Sequence, residues 1–173
     1  MWSERRRALA LLVCGLGLPA CGFRPLHAPR GGRGGVADLA FVKVESIADR
    51  SGQLVRNELL ELLNPHGLAV RQVYLLRVLL EETREGLAFQ KDDTVTRRNL
   101  SLSGEFILRD LRVDTAVLEG RTRAVAAYNV VQSDYANLIA EKDARTRAAS
   151  NVAQDIATRV AIYFTRLRES GSG

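Results

Sequence analysis

Histidine and cysteine are nearly absent from this chain, with two of each in 173 residues. Cys14 falls in an apolar run, His27 in a Pro/Gly-rich stretch and His66 in a Pro65-His66-Gly67 helix stop. No histidine pair stands four residues apart and no cysteine pair has metal-ligand spacing, which excludes the common zinc arrangements. Aromatics make up 6% of the chain, with a single tryptophan. That is too few for the aromatic and basic platforms that stack nucleobases, so no nucleic-acid partner is expected. The carboxylates Glu81 and Glu82 are adjacent, and neighbours on a strand point to opposite faces, which prevents a catalytic dyad. Gly31-Gly32-Arg33-Gly34-Gly35 lacks the Lys-Ser/Thr ending of a phosphate-cradling loop. The chain therefore reads as a binding or assembly component, with no enzyme activity, cofactor or metal expected.

Long apolar runs are missing too. Ala8 to Leu18 is uncharged, but eleven residues make a helix of about 16 Å, roughly half of a ~30 Å hydrocarbon core. Preceded by Arg5, Arg6 and Arg7 and followed by Leu18-Pro19-Ala20-Cys21, the run has the tripartite layout of a signal peptide. Its end resembles the lipobox that directs lipidation of a cysteine and cleavage before it. Residues 1–20 are thus expected to be removed, leaving Cys21 as the lipid-bearing N-terminus. Gly22 is not the aspartate that holds many lipoproteins at the inner membrane, so outer-membrane sorting on the periplasmic face is expected by analogy. Cys14 leaves with the signal, so no intrachain disulfide can form. Loss of Glu4 and the three arginines also lowers the formal charge of +5 to a milder positive balance.

Residues 21–37 contain Pro25, Pro29, Gly31, Gly32, Gly34 and Gly35 with little apolar periodicity, the composition of a tether. The folded domain is expected over 38–169, with 170–173 a disordered tail. Alternation predicts strands over 39–47, 73–83, 99–109 and 117–127. In the second of these both sides are apolar in the middle, as in a central or twice-covered strand. A helix from Leu54 to Leu63 follows Ser51 as candidate N-cap and stops at Asn64-Pro65-His66-Gly67. A longer helix over 137–167 repeats Ala144, Ala148, Val152, Ile156, Val160 and Phe164, with Arg145, Arg147, Asp155, Arg159 and Arg166 on a solvated face. The order β-α-β-β-β-α predicts an α+β two-layer sandwich, two helices on one face of a four-stranded, mainly antiparallel sheet. The 84–98 connection is long for a hairpin loop and could equally extend both strands.

Beyond the lipobox, Cys21-Gly22-Phe23-Arg24-Pro25-Leu26 resembles the opening of the mature LptE family of lipopolysaccharide-assembly lipoproteins, in its alphaproteobacterial branch. Asp49-Arg50-Ser51-Gly52-Gln53 before Leu54 and Arg56-Asn57, Arg84-Glu85-Gly86-Leu87, Asp92-Asp93-Thr94 with Thr96-Arg97, and Ser133 to Glu141 after Tyr128-Asn129 follow in matching order. The resemblance covers Cys21 to about Leu167. It implies two helices on a four-stranded sheet, the outer-membrane β-barrel LptD as partner and barrel plugging as the task. It also implies contact with lipopolysaccharide during delivery to the outer leaflet. Lipopolysaccharide carries phosphates and acidic sugars, and arginine can clamp phosphate bidentately. Lys91, Arg97 and Arg98, with Arg121 and Arg123, are the candidate contacts. A competing expectation is an auxiliary lipid-binding lipoprotein of an ABC-type envelope transporter.

Overall fold

The computed structural model describes residues 39–65, 67, 71–88 and 95–171. The elements are β1 (Val42–Val44), α1 (Asp49–Leu63), β2 (Tyr74–Ala88), β3 (Val95–Asp110), β4 (Thr115–Asn129) and α2 (Asp134–Gly171). They form a mixed sheet in the order β1-β2-β3-β4. Only β1 and β2 run parallel; the other two pairings are antiparallel. Parallel neighbours need a crossover, and α1 supplies it. The predicted α+β sandwich is the fold observed.

Every second strand residue faces the helices. Leu76, Val78, Leu100, Leu102, Phe106 and Leu108 from the sheet are buried, as are Val55, Leu59 and Leu63 from α1. The α2 stripe from Ala144 to Phe164 is buried against them. Burying one leucine- or phenylalanine-sized side chain contributes about 1.5–3 kcal/mol, so this layer dominates the stability. Ala148, Ala149 and Ala153 on α2 and Ala124 and Ala126 on β4 are all buried; their small side chains let helix and sheet approach closely. Tyr74 closes one end of the layer, its ring edge-on to Phe164 with centroids 4.9 Å apart.

Several boundaries differ from the sequence reading. β1 shrinks to three residues, with Leu39 and Ile47 buried on either side. β2 and β3 run on as a long hairpin, pairing as far as Ala88 with Val95, which decides the 84–98 connection for the second of its two readings, an extension of both strands. β2 is central but covered on one face only: Leu79 is 65% exposed. α2 continues through Gly171, so Ser170 and Gly171 are helical. α1 begins at Asp49, with Ala48 as N-cap residue and no side-chain cap. Ser51, expected to cap the helix, lies inside it and is buried. The corner is tight. Asp49 has φ 67°, and a Cβ on Gly52 would stand 2.7 Å from Ile47 Cγ2. Glycine inside a helix costs roughly 1 kcal/mol relative to alanine, and here the close approach to Ile47 requires it.

Candidate functional site

The sheet face away from the helices has no layer over it among the described residues. Its cross-strand rows follow from the register: Arg77, Ile107 and Glu119; then Leu79, Glu105 and Arg121; then Glu81, Ser103 and Arg123. Arg121 Nε pairs with Glu105 Oε1 at 2.8 Å, both side chains well exposed. Arg123 Nε donates to Ser101 Oγ at 2.8 Å and lies over that serine, which is buried. Between the charges stand exposed Leu79 and Val125. Leu79, Glu81, Ser103, Glu105, Arg121 and Arg123 line a shallow groove of about 570 Å³. At the margin of this face Arg77 donates to both Glu45 oxygens, at 2.6 and 3.3 Å, and this hydrogen bonding holds the Glu45 carboxyl below its ordinary range. The face is charged, ion-paired and interrupted by apolar side chains.

On the helix side a second polar group ties three elements together. Glu82 of β2 accepts from Arg145 of α2 at 2.9 and 3.1 Å, from Arg84 at 2.8 and 3.1 Å, and from Ser51 of α1. Arg145 also reaches Glu141 at 2.7 Å, one helical turn back. Hydrogen bonding from Arg145, helped by Ser51 and Arg84, outweighs desolvation and brings the Glu82 carboxyl down from 4.5 to about 2. The same bonds push the Arg145 guanidinium up. A carboxylate this acidic is ionised throughout the neutral range and is a weak proton acceptor. Two cations and two carboxylates balance, and the cluster serves as a tie among α1, β2 and α2. It borders a cleft of about 720 Å³ floored by Leu80 and Leu102.

The sequence-derived candidates do not form one patch. Cys21 and Lys91 lie outside the described residues. Arg121 and Arg123 are neighbours on the open face. Arg97 pairs with Leu87 and Asn129 and shares the phase of that face, but it sits six residues along β3 from Ser103, about 20 Å away. Arg98 pairs with Gly86 and Tyr128, the opposite phase, so it turns to the helix side of the sheet. A one-residue step reverses the face, which separates these two adjacent arginines. Arg145 departs from the solvated face expected for it on α2: its side chain is 16% exposed within the Glu82 cluster. Glu141 and Arg145 stand four apart on a helix, the spacing of an ion pair, and that signal was available in the sequence.

No protein-family model matches the chain. An uncharacterized protein of Rickettsia prowazekii (strain Madrid E) is 24% identical over 156 residues, covering 90% of this chain and 96% of that protein. The crystal structure of a candidate lipoprotein from Caulobacter crescentus CB15 superposes with a TM-score of 0.66 at 25% identity, covering 76% of this chain and 96% of the other. A minor lipoprotein from Acinetobacter baumannii gives 0.55 at 20% identity, with 70% and 91% covered. The fold is thus one shared with bacterial lipoproteins, and with the lipobox-like Leu18-Pro19-Ala20-Cys21 it defines a lipoprotein of the envelope. Among the described residues no helix is long and apolar enough to cross a membrane.

Proposed function

We propose that this protein is an LptE-type outer-membrane lipoprotein, which assembles with the LptD β-barrel and plugs it while lipopolysaccharide passes to the outer leaflet. The observation that carries the reading is the one-sided sheet. Both helices pack on one face and leave the other without a covering layer among the described residues, polar and internally ion-paired, as at Arg121–Glu105. The lumen of an outer-membrane barrel is polar, and a domain seated in it needs a water-compatible, hydrogen-bonding surface. The ordered motif matches from Cys21 to Leu167 and the fold shared with lipoproteins support the same reading. In this role Arg121 and Arg123, with Arg97 further along the sheet, are the cations placed to meet lipopolysaccharide phosphates, and the lipid on Cys21 keeps the domain beside the barrel.

Affinity purification from native outer membranes tests this. The expected co-purifying protein is a large β-barrel, and depletion should leave that barrel misassembled and lipopolysaccharide missing from the cell surface. An inner-membrane ABC-type transporter as the stable partner, with normal surface lipopolysaccharide, would overturn the proposal.

A further inference from the structure

We infer that the outer edge of β4 is a strand-addition site for an extended segment of a partner protein that carries a carboxylate beside Arg123 and an apolar residue beside Val125. Tyr74 N donates to Phe41 O at 3.1 Å and Glu45 N to Leu76 O at 3.0 Å, so the even residues of β2 turn their backbone groups to β1 and the odd ones to β3, in keeping with Leu111 N donating to Val73 O at 2.9 Å. Backbone groups alternate sides along a strand. The odd-numbered residues of β3 therefore bond to β2, and the even-numbered ones, Leu100 to Leu108, bond to β4. Their partners are the even residues Leu118 to Ala126. Glu119, Arg121, Arg123, Val125 and Ala127 consequently direct both N–H and C=O outward. An independent contact agrees: the Ala127 carbonyl accepts from Arg147 Nη2 at 3.1 Å.

That bond is the single side-chain cap on the β4 edge among the described residues, and β4 ends the sheet. Proteins commonly blunt such an edge with lysine, proline, a short strand or inward-pointing charge. β4 has fifteen residues, Thr115–Asn129, with no lysine and no proline. Its residues facing the helices, Leu118, Gly120, Thr122, Ala124, Ala126 and Tyr128, are uncharged. Its cations do not shield the edge either, since Arg121 turns inward to Glu105 and Arg123 to Ser101. The opposite margin is different. β1 pairs with β2 over Tyr74–Leu76, where Glu45 N also donates to Leu76 O, and beyond that the N-terminal turn of α1 faces the β2 margin, with Ser51 donating to the Glu82 side chain.

The occupant's chemistry follows from the outward residues. Arg121 already pairs with the Glu105 carboxylate, whereas Arg123 donates to a neutral hydroxyl. An added antiparallel strand places its side chains next to Arg123 and next to exposed Val125 on the same face, two residues apart. A carboxylate and an apolar residue at i and i+2 complement them.

The test uses the full mature chain and a short synthetic peptide of alternating valine and threonine with one glutamate set two residues from a valine, beside a version with lysine for that glutamate. Hydrogen exchange read residue by residue should show the peptide protecting the amides of Arg121, Arg123 and Val125. The glutamate peptide should bind about fivefold more tightly than the lysine one, and R123E should reverse the order. V125P, which removes an outward donor and leaves the β3 ladder intact, should weaken both. Protection of Val78 and Leu80 instead, an unchanged preference in R123E, or peptide-independent dimerisation that protects the same amides would each overturn the assignment.

Discussion

Arg145 of α2 and Glu82 of β2, 63 residues apart in the chain, are joined by two hydrogen bonds of 2.9 and 3.1 Å. The Glu82 side chain is 17% exposed, so removing one partner leaves a largely desolvated charge to be satisfied by Arg84 and Ser51 alone. Breaking such a pair from one side is strongly destabilising, whereas an exposed pair contributes little. R145A is expected to lose about 2 kcal/mol of unfolding free energy, measured by urea denaturation, and R145K about half as much, since lysine keeps the charge but not the fork. A midpoint unchanged in R145A would show that the tie is not structural.

The same cluster sets an acid limit. The Glu82 carboxyl is depressed in the folded state, from 4.5 to about 2, so the unfolded chain binds the proton more readily. Its contribution is complete above the unfolded value and is lost as pH falls from about 4.5 through about 2. After allowance for the solvent that still reaches the group, the expected loss is on the order of 2 kcal/mol. E82Q should be less stable than the parent at pH 7 and should lose less between pH 5 and pH 2, as read by parallel denaturation curves. Parallel pH profiles for the two proteins would refute the linkage.

Gly120 gives a packing prediction. It stands opposite Phe106 in the β3–β4 register, and a Cβ there would meet the Phe106 ring at 2.7 Å. The ring is buried, and Arg159 lies over it with Cζ 5.9 Å from the centroid and Nη1 3.4 Å from the same Cβ position, so an added methyl is crowded by both side chains. G120A is expected to destabilise by about 1–3 kcal/mol through overpacking. F106L should relieve part of that in the double variant, which a double-mutant cycle in thermal or urea unfolding would read as coupling between the sites.

Much of this architecture is legible in the sequence because its two layers obey two clean periods. Leu100, Leu102, Phe106 and Leu108 alternate and are buried, and the α2 stripe from Ala144 to Phe164 repeats at helical spacing and is buried with them. What the sequence hides is chosen by distant partners. Ser51 has the chemistry of an N-cap, but Glu82, 31 positions away, takes its hydroxyl. Arg145 has the look of a surface residue, and the same carboxylate draws it in. The basic candidates fail as one patch for a geometric reason: register, not proximity in sequence, decides that Arg97, Arg121 and Arg123 share a face while Arg98 does not.

Arg121 and Arg123 separate function from stability. Both residues are exposed, and the Arg121–Glu105 pair is a surface pair worth at most about 1 kcal/mol. R121E/R123E should therefore fold within about 1 kcal/mol of the parent. If these guanidinium groups hold lipopolysaccharide phosphates, removing charge-assisted hydrogen bonds and adding repulsion should weaken lipopolysaccharide binding about tenfold or more and flatten its salt dependence. Unchanged affinity in a well-folded variant would move the contact away from the open face.

Cys21 lies outside the described residues, and the domain's buried core draws on residues from Leu39 to Phe164 without it. Two or three acyl chains, at about 0.8 kcal/mol per buried CH₂, would hold the protein at the membrane effectively permanently. Residues 21–37 could reach no more than about 60 Å even at full extension, so a lipid on Cys21 would confine the domain to a thin layer and raise its effective concentration at any barrel in the same membrane. C21S exported in soluble form should fold with the parent's unfolding midpoint and still bind the barrel. Its barrel occupancy at native expression should fall, and overexpression should restore it. Loss of binding at saturating protein would instead make the lipid part of the interface.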